Sequence, residues 1–263
     1  MTFRSYVSAS STTAKTDAFI AYRDSTTSLN TPKERTWTGD TATWGSPSEM
    51  LTSESQVRYT RVAYCPKEQR SFEKIVVTLS DDGYLDAYVW DGTSWNVTTN
   101  IGQAWSSAPS DARRPYDIAY ESTSGEALLV YGTTVAGGTN DLAYRTWSLS
   151  LGWGAEQYFD DDGHASKVTV TYVELASDPN SDKIGMAYIE NTNSHANAVI
   201  WVGSSWGSSV EITNTVSVAT EECVAIACES VNGAFMAVAG EGQFIKWTLS
   251  LIHISEPTRQ AEI

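Results

Sequence analysis

Nine of the ten tryptophans in this 263-residue chain fall into one repeating pattern. They form four close pairs, Trp37 with Trp44, Trp90 with Trp95, Trp147 with Trp153 and Trp201 with Trp206, and Trp247 stands as a fifth first member. The first members are 53, 57, 54 and 46 residues apart, and only Trp105 lies outside the series. Self-similarity at such a period marks a chain built from repeated supersecondary units. The flanks repeat as well. A short strand-like segment leads into each first tryptophan, as in DAYVW, AYRTW and FIKW. Before it lies an apolar run, such as KIVVTLSDDG from Lys74, EALLVYG from Glu126 or KIGMAYIEN from Lys183. Before that lies another, such as RVAYCP from Arg61, YDIAYES from Tyr116 or VTYVELA from Val170.

Each unit therefore reads as four short strands. The first two are near-continuous apolar runs, as expected of strands covered on both faces, and the fourth is the most polar, as expected of an outer edge. Turn chemistry separates them at 80–83 (SDDG), 122–125 (STSG), 177–182 (SDPNSD) and 230–233 (SVNG). No segment of useful length has a helical period. Four-stranded units of this length are the signature of a β-propeller, whose blades pack face to face around an axis. The expectation is an all-β propeller with about five repeats, at 1–53, 54–104, 105–164, 165–213 and an incomplete 214–248.

After Trp247 the repeat fails. Residues Leu249 to Arg259, LSLIHISEPTR, resemble the in-frame translation of a sequencing adapter. The tail 249–263 is accordingly expected to be non-native, the propeller to be C-terminally truncated, and the chain to be a metagenomic fragment; His253 and Arg259 then carry no function.

The formal net charge of −15 repels nucleic-acid phosphate and anionic membranes, and Arg113-Arg114 is the only basic doublet. No stretch has the apolar length of a membrane span, and the first residues lack a signal-peptide pattern. Cys65, Cys223 and Cys228 are an odd count without a disulfide framework, and the last two, five apart on one strand, point to opposite faces. Asn96-Val97-Thr98 matches an N-glycosylation sequon.

The candidate ligand-binding residues are the Trp-flanked turns: Trp37, Trp44, Trp90, Asp91, Trp95, Trp147, Trp153, Trp201 and Trp206, with Arg145 beside the third pair. Flat aromatic faces with polar groups between them are how sugar rings are held. The competing reading is that each pair braces its blade, one ring across the hairpin and one into a neighbour. In blade layout the chain resembles propeller lectins of the fungal fucose-lectin and tachylectin types, and its turn position resembles the aspartate-box turns of sialidase-like propellers. It lacks the Ser-x-Asp-x-Gly-x-Thr-Trp box itself, since Asp91 is followed directly by Gly92. Arg113-Arg114-Pro115 resembles the arginine motif that opens a sialidase propeller, but no paired carboxylates or arginine cluster accompany it in sequence. His164 and His195 stand alone in turn-like segments. Asp160, Asp161 and Asp162 are the calcium candidates, although calcium loops alternate ligand and spacer; no other cofactor is expected.

These observations lead to an expected function: a non-catalytic binding or adhesion propeller, secreted or on a cell surface, that takes a glycan or a surface protein. The alternatives are a structural scaffold propeller of a surface or virion protein and a sialidase- or glycosidase-like fragment.

Overall fold

A computed structural model describes residues 2–7, 14–23, 28–106, 113–133, 141–159, 168–191, 194–216, 222–241 and 244–249. They form a β-propeller of five antiparallel sheets, each built from consecutive strands. Blade 1 contains β1 (Thr2–Val7), β2 (Ala14–Arg23), β3 (Pro32–Thr38), β4 (Thr43–Trp44) and β5 (Ser48–Glu49), the last two both pairing with β3. Blade 2 contains β6 (Val57–Tyr64), β7 (Lys74–Ser80), β8 (Tyr84–Trp90) and β9 (Trp95–Gln103). In blade 3, β10 (Tyr116–Tyr120), β11 (Ala127–Gly132) and β12 (Leu142–Ser148) are followed by the broken outer strands β13 (Gly152–Trp153) and β14 (Gln157–Phe159). Blade 4 contains β15 (Val170–Ser177), β16 (Lys183–Glu190), β17 (His195–Val202) and β18 (Val210–Thr213); blade 5 shows β19 (Val224–Cys228), β20 (Phe235–Glu241) and β21 (Phe244–Leu249). Residues 250–263, with His253 and Arg259, lie outside the described residues. No described helix is long and apolar enough to cross a membrane, and no disulfide joins Cys65, Cys223 and Cys228.

The period-2 alternation of side chains decides how the blades stack. In β11, Ala127, Leu129 and Tyr131 face blade 2, whereas Leu128 and Val130 face blade 4. Each junction thereby receives its own apolar layer. Phe19 and Met50 meet Val76 and Tyr88 between blades 1 and 2. Ile75, Val77 and Leu79 meet Ile118 and Leu129 between blades 2 and 3. Val130 and Leu142 meet Ile184 and Met186 between blades 3 and 4, and Ile189 and Ala196 meet Val224 and Ala237 between blades 4 and 5. The middle strands β7 and β11 are buried along their whole length, which is why they read as unbroken apolar runs.

First strands follow that expectation unevenly: β10 is buried throughout, β15 over its first half, and β6 and β19 are not. β6 is mostly half-buried, because first strands touch one another from blade to blade, and in blade 2 that surface is polar. Arg61 on β6 grips Asp117 on β10 with two hydrogen bonds, Nε to Oδ1 at 2.7 Å and Nη2 to Oδ2 at 2.8 Å, and reaches Glu174 on β15 at 3.3 Å. Arg114, buried just before β10, donates to the carbonyl oxygens of Tyr116 and Val173 and to the carboxylates of Glu174 and Glu222. Asp117 in turn accepts the Ile118 and Leu175 amides, both at 2.9 Å. Two guanidinium groups and three carboxylates thus lock blades 2 to 5 together at their inner strands.

Arg114→Leu should lower stability by about 2–4 kcal/mol. That sits at or below the range for breaking a buried ion pair, because Glu174 and Glu222 keep partial solvent access. Urea unfolding of the variant against the parent chain checks this.

Candidate functional site

Each tryptophan pair sits where the third strand of a blade turns into the fourth. The two members face each other in register, Trp37 with Trp44, Trp90 with Trp95, Trp147 with Trp153 and Trp201 with Trp206. Ring centroids are 5.7, 5.4, 5.5 and 5.3 Å apart, with planes 55–67° from parallel. Tilted contacts of this kind suit aromatic quadrupoles and close the hairpin.

Three of the four pairs are set against the preceding blade. Trp95 leans on Phe19 at 6.1 Å and its Nε1 donates to Glu34 at 3.2 Å, while the Lys74 ammonium lies 4.8 and 5.3 Å from the Trp90 and Trp95 rings. Trp147 Nε1 donates to the fully buried Glu73 at 3.3 Å, and Trp147 and Trp153 pack on the core between blades 2 and 3. Trp201, 3 % exposed, donates to Glu121 at 2.7 Å and meets Tyr144 edge-on at 5.5 Å, while Trp206 packs on Phe159 at 4.9 Å. In blade 1, Trp37 and Trp44 are half-buried and the Arg35 guanidinium lies 5.9 Å from the Trp44 ring. The side chain of Trp247 lies outside the described residues.

Asp91 is exposed and turned inward on its own hairpin. Its carboxylate accepts the Thr93 and Ser94 amides at 2.8 and 2.9 Å, both their hydroxyls, and Asn96 Nδ2. Those donors, the Ser94 amide first, hold its pKa well below the usual carboxylate range. It acts as the staple of the turn.

Blades 1 and 3 each carry an arginine two residues before the first tryptophan, and Arg35 Nε donates to the Gly45 carbonyl at 2.9 Å; Arg145 of blade 3 makes the matching contact. Its Nη1 donates to the Gly154 carbonyl at 2.7 Å, which holds the guanidinium beside the tryptophan turn. Glu156 lies nearby and accepts Tyr131 Oη at 2.6 Å on one oxygen and Tyr158 Oη at 3.2 Å on the other. Burial, with Glu156 next, pushes the Tyr131 hydroxyl far up, so it remains a donor. Two donors in this cluster, Arg145 Nε and Trp153 Nε1, are buried and reach no acceptor among the described residues. Leaving such a group unpaired costs roughly 1–3 kcal/mol. At the rim, Tyr158 is 43 % exposed and Leu151 88 %. The structure therefore brings Arg145, Trp147 and Trp153 to one face and adds Tyr131, Glu156 and Tyr158, which the repeat pattern alone did not single out.

The other sequence candidates have plain locations. Asp160, Asp161, Asp162 and His164 lie outside the described residues, and among the described residues no group of His, Cys, Asp and Glu could hold a metal ion. Asp81 pairs with Arg58, and Asp82 accepts the Tyr84 amide and the Ser55 hydroxyl. His195 opens β17 rather than a turn, with Nδ1 3.3 Å from Glu211. Arg114 belongs to the inner ion network and Arg113 lies over the Trp105 ring. A sequence signal for that network did exist: Arg61, Asp117 and Glu174 are charged residues set inside otherwise apolar first-strand runs.

No protein-family model matches the chain, and no curated protein matches it in sequence. Among solved structures, its fold is similar to the BP39L lectin from Burkholderia pseudomallei, with a TM-score of 0.61 and 12% identity over 91% of this chain and 64% of that one. It is also similar to AofleA from Arthrobotrys oligospora, with a TM-score of 0.52 and 11% identity over 89% of this chain and 65% of that one. Aleuria aurantia lectin, a fungal lectin of six-bladed β-propeller fold with a novel fucose recognition mode, gives 0.49 and 13% over 94% and 73%. The chain thus spans slightly less than two thirds of the length of the first two, and the likeness is one of fold.

Glu121, the acceptor for Trp201, gives a pH test. Burial is the largest cause raising its pKa above the ordinary value of 4.5, opposed by the Ser124 and Trp201 hydrogen bonds and helped by Asp182 and Glu126. The folded state therefore holds this proton more tightly than the unfolded chain, so stability falls as pH rises from 4.5 through the raised value. Glu121→Gln should flatten that part of the stability profile, measured as the urea midpoint against pH.

Proposed function

We propose that this chain is a non-catalytic carbohydrate-binding propeller that acts outside the cell or at a cell surface, with its ligand held at the Arg145, Trp153, Glu156 and Tyr158 face of blade 3. The observation that carries the reading is the pair of unpartnered buried donors, Arg145 Nε and Trp153 Nε1, beside a carboxylate and an exposed phenol ring. A sugar fits that set. Its ring oxygen and hydroxyls accept from the indole and guanidinium, its hydroxyl protons go to Glu156, and its C–H face lies on an aromatic ring. Tyr158, tied through its hydroxyl to Glu156, is the side chain that yields as the sugar enters. The −15 charge supports a neutral ligand over an anionic one.

A catalytic reading finds less support. Arg61 and Arg114 are already engaged by Asp117, Glu174 and Glu222, so they are not presented as an open cationic clamp.

Titration calorimetry against a panel of methyl glycosides tests the reading. A binding sugar should lose roughly 10–100-fold in affinity in Arg145→Ala and in Glu156→Gln, the size of one hydrogen bond to a charged group. Unchanged affinity in both variants would remove the ligand from this face.

A further inference from the structure

The tryptophan that the repeat does not require has a different setting. Trp105 follows β9 and lines a cleft of about 320 Å³ with Ala104, Ser106, Gly132, Thr133, Thr169 and Val170. The cleft joins three blades: the connection leaving blade 2, the end of β11 in blade 3 and the start of β15 in blade 4. It lies at the end of the sheets opposite the tryptophan turns, since those join third strands to fourth, whereas Thr133 follows a second strand and Thr169 precedes a first.

The local chain is built to hold Trp105 there. The amides of Ala104 and Trp105 both donate to the Gly83 carbonyl, at 2.9 and 3.2 Å. Gly83 has φ +83°, and a Cβ on it would fall 1.9 Å from the Trp105 carbonyl oxygen, so this close approach requires glycine. The Arg113 guanidinium lies over the indole, 5.3 Å from the ring centre, and orients it. Gly132 forms the floor: a Cβ there would sit 3.2 Å from Val170 Cβ and 3.3 Å from its carbonyl oxygen. Thr169 and Ser106 are exposed at the mouth, and Thr133 is buried.

We propose that this cleft is a second sugar site, taking one neutral pyranose ring against Trp105. Its volume is at the lower end of the roughly 300–1,000 Å³ typical of ligand pockets, room for a small ligand rather than an extended chain. The described lining supplies one flat indole, three hydroxyl side chains and backbone, and no charged side chain. An uncharged, hydroxyl-rich ring with one apolar face matches that set. The proposal rests on reading the chain as a sugar binder, but it shares no residue with the blade 3 face.

The test is titration calorimetry with methyl glycosides of glucose, galactose, mannose and fucose on four proteins: the parent chain, Trp105→Ala, Thr169→Tyr and Arg145→Ala. Thr169→Tyr changes an exposed residue and fills the cleft without touching the core. The parent should bind two equivalents of a sugar. Trp105→Ala and Thr169→Tyr should each lose one, by a tenfold or greater weakening, while Arg145→Ala loses the other. An indole N–H resonance assigned by its absence in Trp105→Phe should move with sugar in the parent and stay still in Thr169→Tyr, which serves as the readout should Trp105→Ala not fold. If both cleft variants keep the parent's stoichiometry, or that resonance does not respond, the cleft site is overturned and the blade 3 reading stands. If Arg145→Ala changes nothing while Trp105→Ala and Thr169→Tyr abolish binding, the blade 3 face is overturned and the cleft stands. If no sugar binds the parent chain, both fall.

Discussion

The contact on which this architecture depends is the indole of one blade resting on the blade before it. A four-stranded sheet with two apolar faces cannot exist alone in water; each face needs a neighbour. Alternating side chains supply the apolar layers, but apolar layers are forgiving about rotation and sliding. The indole N–H bonds are not. Trp95 to Glu34, Trp147 to Glu73 and Trp201 to Glu121 each tie a donor on one sheet to an acceptor on the previous one. A misaligned blade would leave a buried donor or a buried carboxylate unpaired, which is a larger penalty than a slightly altered methyl contact. The turns between first and second strands add to this register: Asp182 of blade 4 accepts the Thr123 and Ser124 amides of blade 3, and Asn180 donates to the Ser230 carbonyl of blade 5.

With the tryptophans committed to that role, the binding proposed above falls at their margins or away from them. Blade 3 shows the margin. There the second member of the pair, Trp153, has no acceptor among the described residues, and Arg145 stands beside it with Glu156 and two tyrosines. Trp206 Nε1 of blade 4 likewise reaches no acceptor among the described residues, and blade 1 has Arg35 where blade 3 has Arg145; but Val199 takes that place in blade 4, Phe159 packs on Trp206, and only blade 3 joins the arginine to Glu156 and Tyr158 among the described residues. Fold alone carries no function, and a local difference of this kind within a repeated frame is what supports the proposed site. Trp105 illustrates the other route, an aromatic outside the frame held at a junction by a glycine turn.

The fold was legible because tryptophan periodicity and unbroken apolar runs both report the same physical fact, a sheet covered on two faces. KIVVTLS and ALLVYG could be read directly as β7 and β11. The polar character of β6 was less legible, since RVAYCP looks apolar until its Arg61 is seen to meet Asp117 from the next blade, 56 residues away. The candidate site was legible in part. Arg145, Trp147 and Trp153 stood out by spacing, and they do share a face. The tryptophan turns themselves read as sugar platforms and, more readily, as braces, because repetition in every unit is what a brace requires and sequence does not give what lies behind the rings. Glu156 and Tyr158 lie where the outer strand breaks; blade 1 breaks its outer strand in the same way but has Pro47 and Glu49 at the corresponding places, so the repeat does not mark them.

The most direct measurement of the account is a double-mutant cycle on Trp201 and Glu121, using Trp201→Phe, Glu121→Gln and the pair, followed by urea unfolding. If indole–carboxylate contacts fix the blades, the two changes couple by about 1–2 kcal/mol, the double variant being less destabilised than the two single effects added together. Additive effects, with coupling near zero, would mean that Trp201 contributes only apolar bulk and that the register of the blades is held by something else.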